Sequence, residues 1–197
     1  MNTDTAQSIY ETDIAFDSQY PIYIRELSDL HWTPLAVIAV AARYLSRSEA
    51  DSILDIGSGA GKFCIAGSHF APGHFTGIEQ RKNFVNAGNK LIKALGYTHA
   101  TMLHGNFMDM NLKEYTGIYF FNSFHENIVL SDALDEKIEL SADLYELYTA
   151  HLLAQLRAMP AGTRLATYWL SITEIPGTYR LEEQHFDGLL KLWIKEK

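Results

Sequence analysis

Between residues 53 and 63 the chain reads Ile53-Leu54-Asp55-Ile56-Gly57-Ser58-Gly59-Ala60-Gly61-Lys62-Phe63, an apolar run entering three glycines at alternate positions, with a carboxylate two residues ahead of the first. Glycines this close let a ligand approach the backbone with no Cβ in the way, and the N–H groups opening the next helix then face that ligand. A second carboxylate, Glu79, ends the run His74-Phe75-Thr76-Gly77-Ile78-Glu79, 22 residues beyond Gly57. An acid about 20 residues after such glycines accepts from both hydroxyls of a ribose, which a neutral side chain seldom does. Together the two features point to an adenosine-containing ligand held where a strand meets its helix. The spacing narrows the choice. A dinucleotide fingerprint needs its third glycine at position 62, where Lys62 stands, so a nicotinamide enzyme is the weakest reading of what is here a D-x-G-x-G-x-G turn.

That turn resembles the first motif of the class I S-adenosylmethionine-dependent methyltransferases. The resemblance implies an α/β, Rossmann-like fold: a mostly parallel seven-stranded sheet with a C-terminal antiparallel hairpin and helices on both faces. It puts Asp55 near the methionine amine, and the glycines under ribose and methionine. In the wider family an acid accepts from the adenine amino group where this chain has Asn106 in His104-Gly105-Asn106-Phe107-Met108-Asp109. An amide oxygen accepts from an amine too, and Phe107 can pack on the adenine face. The bland reading makes Phe107 core and Asp109 an exposed loop acid.

A narrower resemblance rests on the same turn, a strand ending in Gly-Ile-Glu, the pair Asn106-Phe107 and the aromatic run Phe120-Phe121-Asn122-Ser123-Phe124. These look like the disruptor-of-telomeric-silencing group of lysine methyltransferases and its bacterial relatives, over about Thr33 to Phe124. That group carries Gly-Asp-Phe and Asn-Asn-Phe at the matching places, so Asn122 and Phe124 match. Of its upstream Tyr-Gly-Glu-Thr only Thr33 matches, with Leu30, His31 and Trp32 in the other places. The resemblances imply cofactor contacts from Thr33, Asp55, Gly57, Ser58, Gly59, Gly61, Glu79, Gln80, Asn106, Phe107 and Asn122, and a catalytic group of Asn122, Phe124 and His125.

Methyl transfer is an in-line displacement that asks for positioning more than for strong acid or base groups. An amine must attack uncharged, which favours an aromatic, poorly hydrated channel and a carbonyl that aims its lone pair. Asn122 offers the carbonyl, and Phe124, Tyr20 and Tyr23 offer walls. For a hydroxyl nucleophile, His125 or Glu126 offers a base, although such a loop pair also reads as structural. The expected activity is therefore S-adenosylmethionine-dependent methyl transfer to an amine, a protein lysine among the candidates. A small-molecule O- or N-methyltransferase and a non-catalytic binding module stay open beside it. With eight histidines and one cysteine, neither H-E-x-x-H nor C-x-x-C occurs, so no metal is expected. Nor is there a G-x-S-x-G elbow, since Ser58 is a spacer within the glycines.

Positioning these groups requires strands alternating with helices through residues 50 to 165. Strands are expected at Ser52 to Ile56, His74 to Glu79, Ala100 to His104, Thr116 to Phe121 and Thr163 to Leu170. Tyr179 to Phe186 and Leu189 to Ile194 flank the turn pair Asp187-Gly188 as a hairpin. Thr33-Pro34 reads as the start of a helix running to about Arg47, with threonine capping and proline in the first turn. Helices follow from the glycine turn and over Arg81 to Leu95, the latter closed by Gly96. Ser131 reads as the cap of a long helix to about Ala158. The stretch Ser171 to Thr178, with Pro176-Gly177, is too short for the helix usual before the sixth strand. Residues 1 to 30 suggest irregular structure with short helical pieces over the site.

The chain has 197 residues and 47% apolar content, enough for one core and one domain, 1–197, in which 1–32 is a lid or substrate segment and 33–197 the cofactor-binding core. Met1 to Asp13 shows no secretory signal, and the longest apolar run, Leu35 to Ala42, is too short to cross a membrane. A single cysteine, Cys64, suits a reducing, cytoplasmic setting. Net charge is −8, from 24 acids and 16 bases with no basic cluster, which argues against nucleic acid as the main partner. The expected partner is a methyl acceptor. Six acids crowd between Asp132 and Glu146, as a solvated helix face or as a dock for a basic substrate.

Overall fold

A computed structural model describes residues 9–27, 32–129, 134–135, 137–170 and 175–196. Seven strands form one sheet: β1 (Ser52–Ile56), β2 (His74–Glu79), β3 (Ala100–His104), β4 (Gly117–Phe121), β5 (Arg164–Tyr168), β6 (Tyr179–His185) and β7 (Leu190–Lys195). Their order is β3-β2-β1-β4-β5-β7-β6. The first five in that order run parallel, and β7 lies antiparallel between β5 and β6. Ile53, Leu54, Ile118 and Tyr119 are buried from both faces, as central parallel strands require. The chain steps outward from β1 through β2 to β3 and then returns to β4 on the other side of β1. That reversal opens a crevice beyond the carboxyl ends of β1 and β4.

Helices cover both faces. α3 (Leu35–Leu45) and α4 (Lys62–Phe70) pack side by side, and α5 (Lys82–Leu95) buries Phe84, Val85, Leu91 and Ile92. Opposite them, α6 (Ala142–Arg157) presents Tyr148, Leu152 and Leu156 to the second core layer, with Phe107, Phe120 and Phe124. Gly88 on α5 has no room for a side chain, because a Cβ there would lie 2.7 Å from the Ala60 carbonyl oxygen. The helix therefore presses directly on the glycine turn. No helix among the described residues is long and apolar enough to cross a membrane.

Two expected helix starts are corrected. Ser131 lies outside the described residues, and the non-helical residues 137–141 separate it from α6, whose cap is Ser141, accepting from the Leu144 N–H at 3.2 Å. The earlier stretch is drawn elsewhere: Asp135 pairs with Arg81, and Ile138 and Leu140 line the crevice. Thr33 does not cap α3 either. Its hydroxyl meets that of Tyr119 at 2.8 Å, Pro34 takes the cap position, and Asp13 Oδ1 accepts from the Leu35 N–H at 2.9 Å.

Asp13 belongs to a short helix, α1 (Asp13–Asp17), capped by Thr12 and followed by α2 (Ile22–Arg25). Phe16 and Ile24 are fully buried, and the Tyr20 hydroxyl donates to the Ala60 carbonyl at 3.1 Å. This segment is fastened by Lys62, the residue that replaces the third glycine of a dinucleotide turn. Its buried Nζ lies 2.7 Å from Asp13 Oδ1 and 2.7 Å from Asp17 Oδ1, with the rings of Phe16 and Trp32 nearby. A buried carboxylate stripped of its counter-ion is costly. Lys62→Met should therefore lower stability by about 3 kcal/mol in denaturant unfolding, and adding Asp13→Asn and Asp17→Asn should recover most of it. A loss unchanged in the triple variant would show that the pairing is incidental.

Candidate active site

A cavity of about 370 Å³ fills the crevice. The glycine turn forms its floor. Gly57 (φ 69°) donates to the Ile78 carbonyl at 3.0 Å, and a Cβ on it would collide with Ser123. Ser123 in turn donates its hydroxyl to the Ile56 carbonyl, tying the end of β4 to the end of β1. Gly59 (φ 54°) has no atom within 4 Å of where a Cβ would stand, so its backbone lies bare toward open space.

Glu79 stands at the rim, buried. Its Oε2 accepts from the Gly59 N–H at 3.1 Å and its Oε1 from the Arg81 N–H at 2.7 Å. Burial nonetheless raises its pKa above the usual carboxylate range. Arg81, which the sequence reading missed, is the hub of this side. Its guanidinium donates to both oxygens of Glu126, at 3.0 and 2.8 Å, and through Nε to Asp135 at 3.1 Å, while lying 3.8 Å from Glu79. Only its place two residues after Glu79 hinted at this. Glu126 is thereby corrected as a candidate base, since both its oxygens are held by Arg81.

Asp55 lines the cavity behind the glycines, almost wholly buried. Burial pushes its carboxyl up to about 8; the Cys64 thiol, 3.8 Å away, opposes this and the Glu79 charge adds to it. Gln80 and Asn106 lie together on the far wall. The Asn106 oxygen already accepts from the Met108 N–H at 2.9 Å, and its amide donates to the Tyr148 hydroxyl at 2.9 Å and to Gln80 at 3.4 Å. Phe107 is core and wall at once, its ring 5.3 Å from that of Phe124. Asp109 is exposed, away from the cavity.

Beyond β4, Asn122 (φ 44°) bends the chain into the wall, followed by buried Phe124 and by His125. Thr33 and Ser58 complete the lining from the expected set, and Gly61 caps α4 just behind, at φ 83°. Two expected walls are corrected. Tyr20 is turned under the glycine loop by its bond to Ala60, and Tyr23 is half-exposed; neither lines the cavity. Their place is taken by Trp32, Tyr119, Phe121 and Trp169. Among the described residues no three His, Cys, Asp or Glu converge as metal ligands.

No family model matches the chain, and no curated protein sequence does. Solved structures do match its architecture. An RNA methyltransferase from Salinibacter ruber, in complex with S-adenosyl-L-homocysteine, superposes with a TM-score of 0.59 at 17% identity, over 84% of this chain and 94% of that one. The chain has the class I methyltransferase fold. TrmN from Thermus thermophilus gives a TM-score of 0.60 at 14% identity over 88% of this chain, which spans about half, 52%, of TrmN. A mutant of MtNAS, in complex with S-adenosylmethionine, gives 0.56 at 15% identity, over 98% of this chain and 71% of that one. The seven-stranded sheet and antiparallel hairpin expected from the sequence are those observed.

The state of Asp55 leaves a signature in stability. An unfolded Asp titrates near about 4, whereas the folded one titrates at about 8. Between those values the folded protein holds a proton that the unfolded chain has released, so stability falls as pH rises through that window. Denaturant unfolding across the pH range should show Asp55→Asn losing this component of the slope, and parallel curves for the two proteins would refute it.

Proposed function

We propose that the protein is an S-adenosylmethionine-dependent methyltransferase whose acceptor is an amine, a protein lysine or a smaller molecule. The observation that carries the reading is the convergence of the glycine turn, Glu79 and Asn122 on one cavity. The residues present suit the cofactor. Gly59 leaves its backbone open to close approach, and Glu79 is fixed by two N–H groups with lone pairs left over for a cis-diol. Asp55, held uncharged by its burial, is drawn to its carboxylate form by an ammonium group, and Phe107 and Gln80 suit the face and the edge of a purine in that order. That the fold recurs in proteins solved with S-adenosylmethionine or S-adenosyl-L-homocysteine supports this assignment.

When bound, S-adenosylmethionine supplies a methyl group on a sulfonium, which passes to the acceptor nitrogen as the carbon–sulfur bond breaks and its electron pair stays on sulfur. The chain's own work is positioning and exclusion of water. In this reading Asn122 accepts from an acceptor N–H and aims the lone pair, while Phe124, Phe121 and Trp32 keep the nitrogen poorly hydrated and uncharged. His125 takes the proton that the methylated nitrogen releases. Residues 9–27 act as a fixed wall against the glycine turn. A small-molecule acceptor with a hydroxyl would rely on His125 alone, since Glu126 is committed to Arg81. RNA as acceptor is the rival. The charge balance opposes it, because Lys62 and Arg81, the lysine and arginine among the described lining residues, are each already paired with two or more carboxylates.

Calorimetry should find S-adenosylmethionine and S-adenosyl-L-homocysteine binding and NAD not; the reverse result would end the assignment. Glu79→Gln leaves one oxygen for tasks that now occupy two, so affinity should fall about tenfold, roughly 1.4 kcal/mol, while Asp109→Asn changes nothing. Asn122→Ala should slow turnover and spare S-adenosyl-L-homocysteine affinity, because the contact it removes belongs to the transition state. A collapse of cofactor binding in that variant would make Asn122 a structural residue.

A further inference from the structure

Each of the three tryptophans is differently engaged. Trp193 donates its indole N–H to Thr167 Oγ1 at 3.1 Å. Trp32 lies edge-on to Tyr20, centroids 4.9 Å apart, with the Lys62 ammonium 5.6 Å over its ring. Trp169, at the cavity mouth just beyond β5, is 60% exposed; its ring stacks on no other described aromatic and its indole N–H meets no described acceptor. Its backbone sits at φ 43°, a left-handed conformation that bulky residues seldom adopt. The strain is held in place from the hairpin, where the Leu189 carbonyl accepts the Trp169 N–H at 3.0 Å. A large aromatic kept exposed in a strained conformation beside a pocket has the character of a ligand contact.

Charge selects the ligand. Glu79, Glu126 and Glu139 line the cavity against two cations, Lys62 and Arg81, while Asp55 behind the glycines keeps its proton up to about pH 8. Lys62 is held by Asp13 and Asp17, and Arg81 by Glu79, Glu126 and Asp135. Among the described lining residues no cation is left over to meet a phosphate or carboxylate, whereas an indole face in a negative field attracts a cation. We propose that Trp169 is the acceptor-recognition residue and that it takes the acceptor as an alkylammonium ion, seated against the indole at the cavity mouth. This rests on the methyltransferase reading. It describes encounter, before the ammonium yields its proton to solvent and the neutral nitrogen enters the site.

The probe is n-butylammonium, followed through the backbone amide shift of Leu189, with n-butyrate and inorganic phosphate as anionic counterparts. Each titration is run with and without saturating S-adenosyl-L-homocysteine, whose own affinity is measured by calorimetry. Butylammonium should bind the wild type, lose at least tenfold in affinity in Trp169→Ala and keep most of it in Trp169→Phe, while the anions bind neither form and S-adenosyl-L-homocysteine affinity stays constant. Equal butylammonium binding in Trp169→Ala, or butyrate binding as tightly as butylammonium, would overturn the proposal. So would a short single-stranded RNA that binds the wild type and is lost in Trp169→Ala, since that assigns the indole to base stacking. If S-adenosyl-L-homocysteine fails to bind the wild type, the methyltransferase reading falls, and the alkylammonium titration of the cofactor-free protein still decides the role of Trp169.

Discussion

Burying Glu79 at the end of β2 creates a demand that the surrounding chain is built to answer. An isolated carboxylate withdrawn from water costs several kcal/mol even after relaxation. Here the Gly59 and Arg81 N–H groups answer it first, and the Arg81 guanidinium stands behind them. Arg81 is itself buried, so it needs partners of its own and finds them in Glu126, beyond β4, and in Asp135. One linked set of charges thus fixes the glycine turn, the end of β2 and the loop that follows β4. These are the parts from which the cavity is made.

Lys62 repeats the device on the other side. A cation in the first turn of a helix opposes the helix dipole, so its position in α4 is tolerable only with anions close by, and Asp13 and Asp17 supply them. The consequence is reach: α1, far from α4 in sequence, is fastened to the start of the helix that follows the glycines. Both cations are absorbed in holding backbone segments together. The cavity is left with an acidic lining and an aromatic mouth, a combination suited to amines.

The sequence was most legible where local rules suffice. β1, β2 and β3 fall on the expected residues, because short apolar runs bounded by glycine, proline or charge have few other uses. The glycine spacing, Glu79 and the Gly96 cap likewise follow from backbone geometry that few residue types can adopt. What escaped was set by partners distant in sequence. Thr33 has the chemistry of a cap but is claimed by Tyr119, and the stretch before Ser141 has helical residues but gives Asp135 to Arg81. Lys62 was legible only as a missing glycine, and nothing near Trp169 announced that the hairpin would hold it open.

The position of β7 has a consequence for the time course of synthesis. It is made after β6 yet lies inside it, hydrogen-bonded to β5 on one side and β6 on the other. As the chain leaves the ribosome, β5 has β4 on one flank, while its other flank presents unsatisfied N–H and C=O groups until residues 190–195 emerge. Through that interval a nascent chain carries an open, largely apolar sheet edge, the feature most prone to pair with the wrong molecule. Completion of the sheet, and with it the anchoring of Trp169 through Leu189, waits on the last strand to arrive.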